Sequence, residues 1–131
     1  MNNITELSIA IPGDKTIEEY LRLSSLIDRY GFHTLSIYDD LLFKPAWPLL
    51  SVIASSTENV QIGPAVVNPY LVHPAVTAGN LAVLDEISQG RAYLGIGKGA
   101  FLDFLNLDSQ KPLTALREST EIIQSLIRGD R

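Results

Sequence analysis

The 131-residue chain has no cysteine, so disulfides and thiolate metal sites are excluded and a reducing cytoplasm is the expected compartment. It has only two histidines, His33 and His73, 40 positions apart. A metal site would need carboxylates for nearly every other ligand, so no metal is expected. Positive charge is also scarce. Ten Lys and Arg stand against fifteen Asp and Glu, a net charge of -5. That balance argues against a nucleic-acid partner and against a basic membrane-surface helix. No apolar run approaches the roughly 20 residues of a membrane span. The opening Met1-Asn2-Asn3-Ile4-Thr5-Glu6 lacks the basic-then-apolar order of a secretory signal.

What is present is an ordinary globular composition, 46% apolar and 19% charged, sized for one domain over residues 1–131. Four short apolar runs bounded by turn residues read as buried parallel strands: Leu7 to Ile11, Thr34 to Tyr38, Val60 to Val67 and Ala92 to Ile96. Four helical patterns alternate with them. The first runs from Thr16 to Tyr30, with Thr16 and Glu19 at capping-box spacing and Gly31 as a left-handed stop. The second runs from Trp47 to Thr57, the third from Pro74 to Ser88 and the fourth from Leu113 to Arg128. Their inward residues are read as Ile17, Tyr20, Leu21, Leu23, Leu26 and Ile27 in the first, and Val76, Ala78, Leu81, Ala82 and Leu84 in the third. In the fourth they are Leu116, Ile122, Ile123, Leu126 and Ile127. Four βα units imply an α/β fold with a parallel sheet and right-handed crossovers. An open doubly wound sheet and part of a (βα)8 barrel both fit that pattern, and a full barrel needs about 250 residues.

In either architecture chemistry gathers where parallel strands end. Asp39 and Asp40 follow the second strand and can serve acid-base or ligand-binding roles, or cap local backbone. Gly95-Ile96-Gly97-Lys98-Gly99 follows the fourth. Its spacing is neither a dinucleotide fingerprint nor a P-loop, so it reads as a tight exit or a backbone approach to a ligand. Trp47 reads as a packing residue at a helix start, and His73 as a solvated or capping side chain ahead of Pro74.

The run Gly63-Pro64-Ala65-Val66-Val67-Asn68-Pro69-Tyr70-Leu71-Val72-His73-Pro74 resembles the third strand and loop of the bacterial-luciferase-like superfamily. Leu84-Asp85-Glu86-Ile87-Ser88-Gln89-Gly90-Arg91 followed by Leu94-Gly95-Ile96-Gly97-Lys98-Gly99 resembles its next helix end and strand, and Thr57 to Gly63 its entry to the third strand. The branch it is most similar to is that of the methylenetetrahydromethanopterin reductases and related oxidoreductases that use the deazaflavin coenzyme F-420.

The resemblance implies the amino-terminal half, (βα)4, of a TIM-type (βα)8 barrel. It implies F-420 or FMN at the strand ends and hydride transfer to or from a small-molecule substrate. It implies a non-proline cis peptide at Ala65–Val66 in a bulge behind the ring. Asp39, Ala65, Val66, Asn68, Gly97 and Gly99 would contact the cofactor, with Asp39 and Asp40 as the catalytic pair. Three departures qualify that carry-over. Asp40 stands where many F-420 members have His, Ala100 where several have an acid, and Trp47 farther along than the usual aromatic. Half a barrel leaves open strand edges, so self-association or pairing with a carboxyl-terminal half is expected. Two other readings remain: a catalytically inactive half-barrel that self-associates, and an unrelated nucleotide-binding module.

Overall fold

A computed structural model describes residues 5–130. Met1 to Ile4, the first part of the segment read above for a signal, and Arg131 lie outside them. Three parallel strands alternate with helices in the order β1 (Ser8–Ile11), α1 (Ile17–Arg29), β2 (Thr34–Ile37), α2 (Ala46–Ala54), β3 (Gln61–Pro64), α3 (Pro74–Ser88) and α4 (Pro112–Arg128). A single 3-10 turn, Leu102–Leu105, stands before α4. The sheet order is β1-β2-β3, and Ala10, Ser36 and Gly63 lie level across it.

Alternation along the strands sorts the two faces of the sheet. Leu35, Ile37 and Ile62 join the buried apolar core with Leu50 and Ile53 of α2 and Leu84 of α3. Ser36 and Gly63, one residue out of phase, face away from that core. Each helix packs on the next, α1 on α2, α2 on α3 and α3 on α4, and α2 also covers β2 and β3.

Local chemistry sets the helix ends. Thr16 accepts from Glu19 N at 3.2 Å, while the Glu19 carboxylate accepts from Thr16 N at 2.8 Å, so the capping box of α1 is complete. Gly31 follows the α1 end at φ +75°, in the left-handed region where glycine has no steric penalty. Asp28, at the far end of α1, receives three backbone N–H groups, from Glu58, Asn59 and Val60 at 2.7–2.9 Å. Arg91 reaches the same turn. Its guanidinium donates to the carbonyls of Ser88, Val60, Ala54 and Thr57 and to the Thr57 hydroxyl, all at 2.8–3.1 Å. Two charged side chains thus pin the segment entering β3 to the ends of α1, α2 and α3.

Several expected details differ. The run Ala92 to Ile96 does not form a ladder; it meets the third strand only at two bridges, Ile62 with Ala92 and Val67 with Ile96. Between them the third strand advances five residues and the fourth run four, which is a one-residue bulge. Pro64 lies inside that interval with no N–H to donate, so the regular ladder stops there. β3 ends at Pro64, not Val67. α2 ends at Ala54, because the side chains of Ser55, Ser56 and Thr57 turn back onto helix carbonyls. The apolar faces of α1, α3 and α4 are also less covered than the periodicity implies. Ile17 and Leu21 of α1, Val76 and Ala82 of α3, and Ile122, Leu126 and Ile127 of α4 are exposed.

Candidate functional site at the strand ends

β2 and β3 end side by side, since Ala65 N donates to Ile37 O at 2.9 Å. Asp39 follows two residues after Ile37 and is half-buried. Its carboxylate accepts from Ala46 N at 3.0 Å, so it caps the first turn of α2 across the loop. Asp40 is also half-buried, and its carbonyl accepts from Phe43 N at 3.2 Å in the same loop. Of the two acids, the hydrogen bonds give Asp39 a structural task and leave the Asp40 carboxylate free of side-chain partners among the described residues. Lys44 on this loop donates its backbone N–H to Gly13 O at 3.0 Å, joining the first strand exit to the second. A methyl group on Gly13 would lie 2.4 Å from Lys44 O, so that junction admits no side chain.

The third strand exit holds a cis peptide at Ala65–Val66, where the family resemblance puts one. Around it the chain is tightly closed. Val67 N donates to Gly95 O at 3.0 Å and Gly97 N to Val67 O at 2.9 Å. The alternate glycines explain how the two exits approach. A Cβ on Gly95 would lie 2.3 Å from Pro64 O, on Gly97 2.8 Å from Val66 Cγ2, and on Gly99 2.7 Å from Asn68 Nδ2. Gly99 also sits at φ +86°. The space in front of these glycines is filled by the third strand's own side chains. That packing alone accounts for glycine at 97 and 99.

Asn68 is 4% exposed, and its Oδ1 accepts from Tyr70 N and Leu71 N at 3.1 and 3.0 Å, closing an Asx turn. Val66, by contrast, is 40% exposed and apolar at the bulge. His73 is the N-cap of α3, its Nδ1 accepting from Ala75 N at 3.2 Å. Trp47 packs against the core instead of standing free at the rim. His33 lies at the opposite ends of the strands, 3.8 Å from Glu6.

One group that sequence reasoning passed over is Tyr93. It lies on the sheet face away from the helices, against Gly63, and its hydroxyl meets the Ser36 hydroxyl and, at 3.3 Å, Gly63 O. Burial pushes its phenol upward in pKa, and the Ser36 contact offsets part of that shift. The level register of Ser36, Gly63 and position 93 was the available signal, and it needs the strand pairing to be read.

A cavity larger than any described at these exits lies between helices. About 740 Å³ opens between α3 and α4, lined by Ala78, Gly79, Leu81, Ala82 and Leu126 among others. Its lining comes from α3, α4 and Ala92 and includes none of the candidate site residues. A smaller one of about 260 Å³ borders the fourth exit at Lys98, Gly99 and Phe101.

The chain matches the Luciferase-like monooxygenase family over residues 4–131. It belongs to that family. It is 36% identical over 115 residues to the 5,10-methylenetetrahydromethanopterin reductase of Archaeoglobus fulgidus, a match covering 86% of this chain and 34% of that protein. The solved coenzyme F-420-dependent tetrahydromethanopterin reductase of Methanopyrus kandleri superposes with a TM-score of 0.85 at 30% identity, over 92% of this chain and 39% of that one. A Pseudomonas putida Baeyer-Villiger monooxygenase component solved with FMN shares the fold alone. Its TM-score is 0.74 at 22% identity, over 93% of this chain and 38% of that one. The chain thus spans about a third of the length of the curated relative and somewhat more of the solved ones.

Proposed function

We propose that the chain forms the ring-facing side of an oxidoreductase site using F-420 or FMN, built on the first four βα units of a TIM-type barrel. The observation that carries this reading is the bulged third exit. It is sealed from the fourth by Gly95, Gly97 and Gly99 and presents Val66 to the open face. A planar tricyclic ring needs such a shallow apolar backing. Tyr38, at the end of β2, adds exposed apolar surface beside it. Exposed Lys44 and Lys98 stand on the neighbouring loops and suit an acidic cofactor tail. These residues fit the group.

When bound, such a cofactor supplies the hydride chemistry. The chain supplies position. Ala65 and Val66 back the ring, Asn68 holds the loop beside it, and Gly97 and Gly99 keep the fourth exit close behind Val66. Asp39 holds the second loop on α2, and the unpaired Asp40 carboxylate is the candidate acid-base group. The substrate is a small molecule taken from the open side. The similarity to reductases whose names specify coenzyme F-420 favours the deazaflavin over FMN.

A fluorescence titration of the purified chain with F-420, and separately with FMN, tests this. Saturable binding, weakened by V66D, is the expected result. A chain folded by circular dichroism that binds neither cofactor sinks the reading. The exposed apolar faces of α1 and α4 favour one second reading, a self-associating half-barrel without turnover. In both readings those faces pair with a second copy or with a carboxyl-terminal half.

A further inference from the structure

We propose that Tyr93 is the floor of the strand-end site, a positioning residue that sets how deep a ligand sits and offers it only an aromatic face. The proposal rests on the oxidoreductase reading for the ligand's identity but not for the placement of the side chain.

Four positions lie level across the helix-free face of the sheet: Ala10, Ser36 and Gly63 by strand register, and Tyr93 next to Gly63 by the Ile62–Ala92 bridge. Three are small and one is large. The Tyr93 ring lies over the hydrogen face of Gly63; a Cβ there would come within 2.9 Å of Cδ1 and Cε1. Its hydroxyl extends one strand farther, to Ser36. One residue therefore spans the ground between β2 and the fourth run, directly below the exit that begins at Pro64.

The polar atoms of this floor are already engaged. The phenol and the Ser36 hydroxyl are hydrogen-bonded to each other, with either able to donate, and Gly63 O, 3.3 Å from the phenol, can only accept, so the phenol proton goes to one of the two. With its donor spent, Tyr93 is not a ready acid. What remains for a ligand is the ring face, which takes a flat, uncharged group and rejects a charged one at that depth. Charged parts of a ligand are then directed outward, toward the exposed Lys44 and Lys98.

Chemical rescue tests the placement without any cofactor. In Tyr93→Ala the vacated floor should accept p-cresol, raising the melting temperature saturably, while the wild-type chain shows no such rise. Toluene should rescue less, because it cannot replace the hydroxyl contacts, and in S36A/Y93A the advantage of p-cresol should shrink. Equal effects of p-cresol on variant and wild type, or of toluene and p-cresol on Y93A, overturn the floor.

The ligand side uses F-420 and FMN as probes. Y93A should bind the preferred cofactor about tenfold more weakly, about 1.4 kcal/mol, with an altered emission spectrum of the bound form, and p-cresol should restore both. Y93F keeps the ring face and should match wild type in affinity and spectrum; loss of binding in Y93F overturns the ring-face role. Should Y93A fail to fold, Y93L takes its place in the cofactor titration: it keeps bulk but not the aromatic face, so weaker binding than wild type is expected and wild-type affinity overturns the ring-face role. Wild type binding neither cofactor would refute the oxidoreductase reading, while the p-cresol result would still decide the floor.

Discussion

Asp39 has two separable roles at the residue scale, the proposed charge beside the ring and the observed cap on α2 through Ala46 N. Asparagine can cap and cannot carry the charge. D39A should therefore lose about 1 kcal/mol of stability, while D39N should stay near wild type, both measured by urea unfolding. If D39N matches D39A in stability, the cap is not what the carboxylate contributes. Asp40 has no such partner, so D40N should leave the urea midpoint unchanged. Gly99 makes a second residue-scale case. Its φ of +86° and the Asn68 side chain 2.7 Å from any Cβ make G99A both strained and crowded. A loss of about 1–3 kcal/mol is expected. An unchanged midpoint would show that the fourth exit can move away from Asn68 freely.

Between elements, the turn entering β3 is held by Asp28 from one side and Arg91 from the other. Burial pushes the Asp28 carboxyl upward, but the backbone donors of Glu58, Val60 and Asn59 outweigh it and hold it below the ordinary value of 3.8. A lowered folded value gives stability that is complete above the unfolded value of about 3.9 and drains away as pH falls through the folded one. The melting temperature should thus fall more steeply below about pH 4 in wild type than in D28N. Parallel profiles for the two would remove Asp28 from the acid transition. Arg91 donates five hydrogen bonds, four of them to carbonyls. R91A should cost about 3 kcal/mol or more by stranding those acceptors, and R91K should recover little, because an ammonium cannot span them. Full recovery by R91K would reduce Arg91 to a point charge.

For the whole molecule, the first and last helices each carry an exposed apolar face, at the two ends of the row of helices. Ile17 and Leu21 are open at one end, Leu126 and Ile127 at the other. Exposed apolar surface of this kind favours association. Light scattering after size exclusion should give a mass that rises with concentration, and charged substitutions at Leu126 and Ile127 should lower it. A constant monomer mass at every concentration would leave those faces as solvated surface.

Much of the molecule was legible in its sequence because the signals are local. The Thr16–Glu19 capping box, the stop at Gly31 and the apolar β runs each need only a few neighbouring residues to act. The order of strands and helices follows from them, and the family was readable in the Gly63–Pro74 run. Tertiary structure decided the rest. Only strand pairing shows that Pro64 interrupts a ladder, that Gly97 and Gly99 are small because Val66 and Asn68 occupy the adjacent space, and that Asp39 caps a helix seven residues on. Leu126 is exposed in a pattern that reads as inward, because among the described residues α4 packs on α3 alone of the helices. Tyr93 lies inside the apolar run Ala92 to Ile96, with nothing local to mark it out. The level register of three strands brings Ser36 and Gly63 beneath it, because contacts across a sheet depend on residues about 30 and 57 positions apart.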